Sequence, residues 1–558
     1  MMEVCYYRLQ GEQKGRLSLD LATDLWYWGK QGRELECVYV TRSVNEAWSI
    51  IKGNKRCTGL HWSRKPEAVE ETEARRLLEK AKNLFTYLAG RGLLWQEVVQ
   101  WVEKHRLEVN SSELRKILQI LLLQGKCELK PGVVQHGAVR KWRCERCLYQ
   151  GKEIRLAACS TCGRECAVCE NCILMGRSRA CTPFFLFQPA REGMKAALSG
   201  PLPFSLSKGQ EHAVLEIERE LDRHKKQILV WAVTGAGKTE IMLPIVKKWL
   251  GRGKRVLWAT PRKDVVLELL PRLKKTIWEY PVIALYGGSG ERFASAPFVL
   301  ATCHQVRRFY RFFDLMIIDE ADAFPLYGDS SLEAVINRAL CDAGQQILLT
   351  ATPPANWLRY GKTGKLPTVL LPVRYHGHPL PLPQLLRERK LWEKLHQKQH
   401  IRGITRFLKQ LDRDQGQALI FVPRIQDIQL LLSWLQKQSP CHFLKTKGIY
   451  SRHPLREKIV QEFRGGKWKI LVTTTILERG VTVPGCHVLV VGSDHPVFDE
   501  TALIQIAGRV GRSAKYQKGK VWFLAREKTD AQQQAQKKIK KLNDFALKEG
   551  FGQKGAYI

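Results

Sequence analysis

The sequence predicts an α/β protein with two parallel-sheet lobes, preceded by a small helical region and a cysteine-rich metal module. Three observations predict it. From Pro201 onward, short apolar runs of strand length alternate with helix-length segments, the texture of a parallel α/β sheet. Ala232-Val-Thr-Gly-Ala-Gly-Lys-Thr239 sits between such a strand and such a helix, the context a phosphate-binding loop requires. Eight cysteines crowd between Cys144 and Cys181, just ahead of that loop.

Length and charge narrow the class. A chain of 558 residues exceeds one core, and 44% hydrophobic content is ordinary for globular domains. The formal net charge is +37, from 91 Lys and Arg against 54 Asp and Glu. An excess of that size suits a polyanion, nucleic acid first and an anionic membrane surface second. The N-terminus carries no apolar run of signal-peptide length, and no run approaches the ~20 residues that span a bilayer. The expectation is a cytoplasmic protein without a lipid anchor, or one peripheral to the cytoplasmic face of a membrane. In that reducing compartment, clustered cysteines favour metal over disulfides.

Taken in order, residues 1–65 read as a small domain without a motif. Residues 66–140 read as helical, with apolar spacing of three to four over Arg75–Leu88, Trp95–Lys104 and Ser112–Leu123, and Ser111 or Ser112 as N-cap. Three helices followed by Cys127-Glu-Leu-Lys-Pro-Gly resemble a winged helix; a helical connector is the alternative. The cysteine module takes 141–185, the first lobe 200–370 and the second 380–535. Strands are expected at Gln227–Trp231, Arg255–Trp258, Leu315–Asp319, Gln346–Thr350, Ala418–Val422, Lys469–Thr473 and His487–Val491. The proline-rich run from Pro367 to Pro383 reads as a linker between the lobes. A basic tail, 536–558, reads as part of a surface helix.

The phosphate loop supplies the candidate ATP-binding residues Thr234, Gly235, Ala236, Gly237, Lys238, Thr239 and the adjoining Glu240. Small residues let backbone N–H groups close on phosphates at a helix N-terminus. Lys238 would reach the β- and γ-phosphates, and Thr239 would help hold Mg²⁺. Asp319-Glu-Ala-Asp322 ends an apolar strand, which suits Asp319 to the Mg²⁺ shell and Glu320 to polarising the attacking water. Downstream, Gln505-Ile-Ala-Gly-Arg-Val-Gly-Arg512 spaces Arg509 and Arg512 for one helical face, where two guanidinium groups would stabilise charge on a transferring phosphate.

Together these motifs resemble superfamily 2 helicase-type motors over about residues 200–530. The resemblance implies two RecA-like lobes with ATP between them. Asp319–Asp322 would be the DEAD box, and Gln210 the upstream glutamine that reads adenine. Thr260-Pro261-Arg262, Thr302, Gln305, Phe421-Val-Pro-Arg424 and the run from Thr474 to Gly480 would contact a nucleic-acid strand. Thr350-Ala351-Thr352 and Gln505 would couple that strand to hydrolysis.

In the cysteine module, Cys144-Glu-Arg-Cys147, Cys159-Ser-Thr-Cys162 and Cys169-Glu-Asn-Cys172 are knuckles spaced for tetrahedral Zn²⁺, with Cys166 and Cys181 as further ligands. One zinc or two, and the pairing of ligands, stay open; an iron–sulfur cluster is the rival. This module ahead of a DEAD-type motor resembles the ComFA family of bacterial competence. The resemblance rests on the outer knuckles, Cys169–Arg177, Asp319-Glu-Ala-Asp-Ala-Phe-Pro325, Thr302-Cys-His-Gln305 and Tyr286-Gly-Gly-Ser289. It implies an ATPase that drives or assists import of transforming single-stranded DNA, with the ComEC channel and ComFC as partners. Two other readings compete: a replication-restart helicase like PriA, whose cysteines lie inside the second lobe, and a zinc-dependent DNA-binding regulator with a vestigial motor.

Overall fold

The computed structural model describes residues 3–53, 66–136, 141–190, 200–475, 485–512 and 519–552. Its chain forms two compact units, Met1–Ser199 with Trp249–Gln346, and Gly200–Lys248 with Ile347–Ile558.

The first unit opens on an antiparallel sheet of order β2-β1-β3, from β1 (Val4–Leu9), β2 (Arg16–Ser18) and β3 (Leu35–Thr41). Asp20 caps the Leu21–Gly29 helix, its carboxylate accepting from the Thr23 N–H. On the Val44–Ile51 helix, Val44, Ala47 and Ile50 recur at three-residue spacing and are buried. One apolar cluster runs from Val4 and Leu19 through Leu77 and Leu118 to Phe185 and Phe187. The segments before and after residue 66 therefore share a core.

Helix Glu71–Leu88 is followed by β4 (Gly92–Leu94), helices Trp95–Lys104 and Ser111–Leu123, and β5 (Cys127–Pro131). The N-cap of the third helix is Asn110, one residue before the expected serines; its side chain accepts from the N–H groups of Ser112 and Glu113. Strands β6 (Val133–His136), β7 (Lys141–Cys144), β8 (Ile154–Cys159), β9 (Arg164–Cys169) and β10 (Ser178–Arg179) then build the cysteine module. Finally β11 (Pro183–Phe187) returns between β4 and β5, antiparallel to both. Helix, strand, helix, helix, strand, strand, with the last strand central, is winged-helix topology. The cysteine module stands where the wing would be. The Ser111–Leu123 helix, which in a helix-turn-helix reader would enter a DNA groove, is covered instead. Gln119 accepts from the Leu19 N–H and donates to Asp24, which ties that helix to the N-terminal sheet domain.

The α/β strands are β12 (Gln227–Ala232), β13 (Val256–Thr260), β14 (Val282–Leu285), β15 (Phe298–Thr302), β16 (Phe313–Asp319), β17 (Leu340–Thr350) and β18 (Thr368–Leu371). Within the first unit their order is β14-β15-β13-β16, paired in parallel; within the second, β12 pairs in parallel with β18. The second lobe contains β19 (Gln384–Arg387), β20 (Gln417–Phe421), β21 (Thr446–Ile449), β22 (Ile470–Thr473), β23 (Cys486–Val491) and β24 (Val521–Ala525). Their order is β19-β24-β23-β20-β22-β21, parallel throughout. These are two RecA-like parallel-sheet lobes, as the alternation of strands and helices predicted.

Two stretches differ from their sequence reading. The start of the proline-rich run is no linker, since β18 within it lies at the edge of a sheet. Residues 536–548 of the basic tail belong to a docked helix, Asp530–Lys548, with Ala535, Ile539, Leu542 and Ala546 buried at helical spacing. Asn543 on that helix bonds both the N–H and the carbonyl of Leu380, and Gln536 donates to the Pro383 carbonyl.

Candidate nucleotide site and metal centres

Strand β12 ends at Ala232, and helix Lys238–Gly251 begins at the lysine of the motif, so residues 233–237 form the loop. Gly235 and Gly237 have φ of 82° and 83°, the left-handed region open to glycine, which turns the backbone around a concave N–H cradle. Gly237 has a second reason: a Cβ there would stand 2.2 Å from the Gln210 amide nitrogen. That amide donates to the Ala236 carbonyl at 2.8 Å, while the Gln210 oxygen accepts from the Ser207 N–H. Gln210 thus braces the loop. Thr234 is buried, and among the described residues its Oγ1 has no hydrogen-bond partner. An orphaned hydroxyl in a glycine cradle at a helix N-terminus fits a phosphate-bearing ligand.

In the same unit, the turn bearing the two arginines lies against this loop. A Cβ on Gly508 would meet Thr234 Oγ1 at 1.9 Å. The Glu500–Ala507 helix ends before Arg509, so Arg509 and Arg512 occupy the turn that follows and do not share a helical face. The reason is local: Gly511 adopts φ of 67°, and the carbonyls of Gly508 and Gly511 are taken by the fully buried Arg374. Arg374 also packs its side chain against Gly235, 3.6 Å from where a Cβ would be. His376 bonds the Gly511 carbonyl as well, and burial pushes its imidazole down to about 4. Arg374 and His376 escape sequence reasoning, because an Arg-Tyr-His string in a proline-rich stretch carries no motif. Gln505 donates to Thr352 Oγ1 at 3.0 Å, which joins the two expected coupling segments, and Trp231 donates to the Ala351 carbonyl.

The acid box lies in the first unit. β16 ends at Asp319, whose carboxylate accepts from the Glu320 N–H, and Glu320 has φ of 52°. A left-handed glutamate is strained backbone of the kind held at working sites. The other expected strand contacts also follow carboxyl ends of parallel strands, where α/β sheets bind ligands. Thr260 ends β13, with Pro261 and Arg262 just after it, and Thr302 ends β15, with Gln305 three residues on, all in the first unit; Arg424 follows β20 and Thr474 follows β22 in the second. Gln305 is buried and bonded to Arg308. Residues 476–480 of the expected strand-contacting run lie outside the described residues.

The eight cysteines sort into two tetrads, Cys144, Cys147, Cys169 and Cys172, and Cys159, Cys162, Cys166 and Cys181, each with its sulfurs within 4.8 Å of one another. Outer knuckles pair with each other; the middle knuckle takes the two single cysteines. Sulfurs of Cys144 and Cys172 lie 3.8 Å apart, Cys147 and Cys169 3.6 Å, Cys159 and Cys181 3.7 Å. A tetrahedron with Zn–S bonds of ~2.3 Å has edges of about 3.8 Å, so both tetrads fit zinc as closed all-thiolate sites. Burial pushes the Cys144 thiol up, but hydrogen bonds from Cys147, Cys169 and Cys172 outweigh it and hold the thiol well below its ordinary value. Cys166 is held down to about 6, chiefly by Cys181.

Arginines on the Ser330–Ala339 helix and the Cys303–Arg308 helical turn grip both outer knuckles. Arg338 donates to the carbonyls of Glu145 and Arg146, and Arg307 to that of Asn171. Glu97 pairs with Arg146 at 2.6 Å and with Arg308 at 3.0 Å.

A phosphate loop, a DEAD box and an arginine turn on RecA-like lobes define an ATP hydrolase of the superfamily 2 helicase type. Comparison with known proteins agrees. Residues 203–355 match the family described as type III restriction enzyme, res subunit, residues 399–514 the helicase conserved C-terminal domain, and residues 78–186 the competence protein ComFA N-terminal domain. Competence protein ComFA of Bacillus subtilis is 35% identical over 412 residues, 73% of this chain and 87% of that protein. Its counterpart in Streptococcus pneumoniae is 34% identical, over 68% and 86%. The transcription-repair-coupling factor of B. subtilis is 23% identical over 69% of this chain and 32% of its own. Among solved structures, S. cerevisiae Dbp5 bound to RNA and ADP BeF3 is 17% identical, with a TM-score of 0.47, over 61% of this chain and 88% of that one. The chain belongs to the ComFA family, and is a competence-associated, helicase-like ATPase that uses ATP with Mg²⁺. Among the described residues no helix is long and apolar enough to cross a membrane.

Proposed function

We propose that this chain is a single-stranded DNA-dependent ATPase and translocase that drives or assists import of transforming DNA during natural competence. The observation that carries it is the packing of the Gly508–Gly511 turn on the phosphate loop, with Arg374 bonded to the first and packed on the second. That arrangement couples a nucleotide cradle to the segment bearing Arg509 and Arg512. In this reading the loop N–H groups and Lys238 hold the ATP phosphates. Thr239 and Asp319 hold Mg²⁺, which supplies charge neutralisation when bound. Glu320 accepts a proton from the attacking water, and Arg509 and Arg512 stabilise the charge that develops on the γ-phosphate. Thr350, Ala351, Thr352 and Gln505 couple this chemistry to strand contacts at Thr260, Pro261, Arg262, Thr302, Gln305, Arg424 and Thr474. A net charge of +37 supports a polyanionic track. Zn²⁺ fills the cysteine tetrads, and the partners are the ComEC channel and ComFC at the cytoplasmic face of the membrane.

The test is ATP turnover with and without single-stranded DNA, paired with DNA import in a deletion strain. Turnover should rise with DNA and vanish in Lys238→Ala, and import should fail without the protein. Turnover insensitive to Lys238→Ala would remove the motor. Normal import in the deletion strain would remove the competence role and leave the ATPase standing.

A further inference from the structure

A cavity of about 300 Å³ opens in the second unit, lined by Trp392, His396, Pro423, Arg424, Gln426, Asp427, His495 and Arg526. None of these belongs to the phosphate loop or the arginine turn. Its walls come from segments that follow four adjacent strands. Trp392 and His396 lie on helix Leu391–His396 after β19, and Arg526 directly follows β24. His495 comes after β23, and Pro423 and Arg424 after β20. In the sheet those strands stand side by side as β19-β24-β23-β20. From β20 the chain continues to one side of the sheet, and from β23 to the other, so the cavity sits at a topological switch point, the crevice where open α/β sheets bind ligands. Its volume falls at the lower end of the ~300–1,000 Å³ of small-ligand sites.

The lining has the chemistry of one nucleotide. Helix Leu391–His396 buries Leu391 and Leu395 in the lobe core, which leaves Trp392 and His396, one turn apart, for the cavity. The indole is seated on Gly492, where a Cβ would come within 2.5 Å of its Cζ2, so the backbone beneath it has to be glycine. Arg526 donates through Nε to Asp494 at 2.9 Å, which orients its half-exposed guanidinium. Arg424 is exposed, and among the described residues its guanidinium makes no hydrogen bond or ion pair, while its backbone N–H donates to Asp427. Burial pushes the Asp427 carboxyl up. Two guanidinium groups, two imidazoles and an aromatic face line the cavity with one carboxylate, Asp427, while Asp494 pairs with Arg526 from outside the lining.

We propose that this cavity binds one nucleotide unit of single-stranded DNA, its base stacked on Trp392 and its phosphate held by Arg424 and Arg526. The proposal rests on the strand-binding function above and assigns that function a base-stacking contact. Stacking tolerates any base, which suits a motor that must pass every sequence.

The experiment uses the full-length protein and oligonucleotides carrying one 2-aminopurine. Wild-type protein should quench the 2-aminopurine on binding. Trp392→Ala should weaken binding roughly five- to a hundredfold and relieve the quenching, and Trp392→Phe should restore most of both. Arg424→Ala should lower the slope of log affinity against log salt by about 0.7, the loss of one single-strand phosphate contact. Thermal unfolding of each variant checks the fold. Wild-type affinity and quenching in Trp392→Ala would overturn the pocket, as would Trp392→Phe failing as badly as Trp392→Ala with an unchanged unfolding temperature. Displacement of the oligonucleotide by deoxyadenosine monophosphate at equal nucleotide concentration would also overturn it, in favour of a free-nucleotide site. If wild-type protein bound no DNA at all, the strand-binding function itself would fall with the pocket. Normal wild-type binding with an indifferent Trp392→Ala rejects the pocket alone.

Discussion

Gly508 shows how one missing atom positions a reaction. Its φ of −64° is ordinary helical backbone, so alanine there costs no conformational strain. The cost is steric, because the new Cβ would lie 1.9 Å from Thr234 Oγ1 and 2.5 Å from Thr234 Cβ, where contact normally begins beyond 3 Å. Thr234 is part of the phosphate loop and is buried, so loop and arginine turn must part by about an ångström. Displacements of that size cost on the order of a hundredfold in rate when they separate catalytic groups from the reacting atoms. Gly508→Ala should therefore lower kcat about a hundredfold while a fluorescent ATP analogue still binds. Wild-type kcat would show that this packing has no part in turnover.

Among the elements, the cysteine module is the one whose placement explains most. As the wing between β5 and β11, it depends on the winged-helix sheet for its footing, and its two outer knuckles are held by Arg338 and Arg307. Arg338 sits on the Ser330–Ala339 helix and adds a third bond, to the Arg307 carbonyl. Burial pushes its guanidinium down to about 10, and the Cys144 thiolate pulls the other way. Arg338→Ala strips three buried carbonyls of a charged donor, a loss of about 3 kcal/mol. The expected result is a lower unfolding temperature and faster zinc loss from the outer-knuckle tetrad, followed by chelator release, with Arg338→Lys intermediate. Equal zinc retention in Arg338→Ala would mean that the knuckles stand without the arginine. None of this was legible in the sequence. Arg338 and Arg146 are 192 residues apart, and β11 lies beyond the whole module from β5, so the wing cannot be seen locally. The phosphate loop, acid box and knuckles were legible because each is a short string whose chemistry is set by its own neighbours. The same contrast separates Lys238, readable from its loop, from Arg374, whose partner Gly511 lies 137 residues on.

For the whole molecule the question left open by composition was how many metal ions eight thiols hold. The geometry answers with two interleaved sets, and their settings differ. All four sulfur ligands of the outer-knuckle tetrad belong to buried residues, whereas Cys162 of the other tetrad is partly exposed. A closed thiolate site loses its metal by ligand dissociation, so exposure of one ligand to solvent opens a path for chelator attack. Purified protein should carry two zinc ions per chain, and a chelator should remove them in two phases. Cys162→Ser should abolish the fast phase and leave one zinc. Cys147→Ser should unfold more of the chain, because the outer tetrad anchors the knuckles held by Arg338 and Arg307, and structural zinc contributes on the order of 10 kcal/mol to small folds. One zinc in the wild-type protein, or iron in its place, would overturn the two-site assignment. Loss of both ions at one rate would show instead that the tetrads act as a single cluster, with the wing folding or unfolding as one unit.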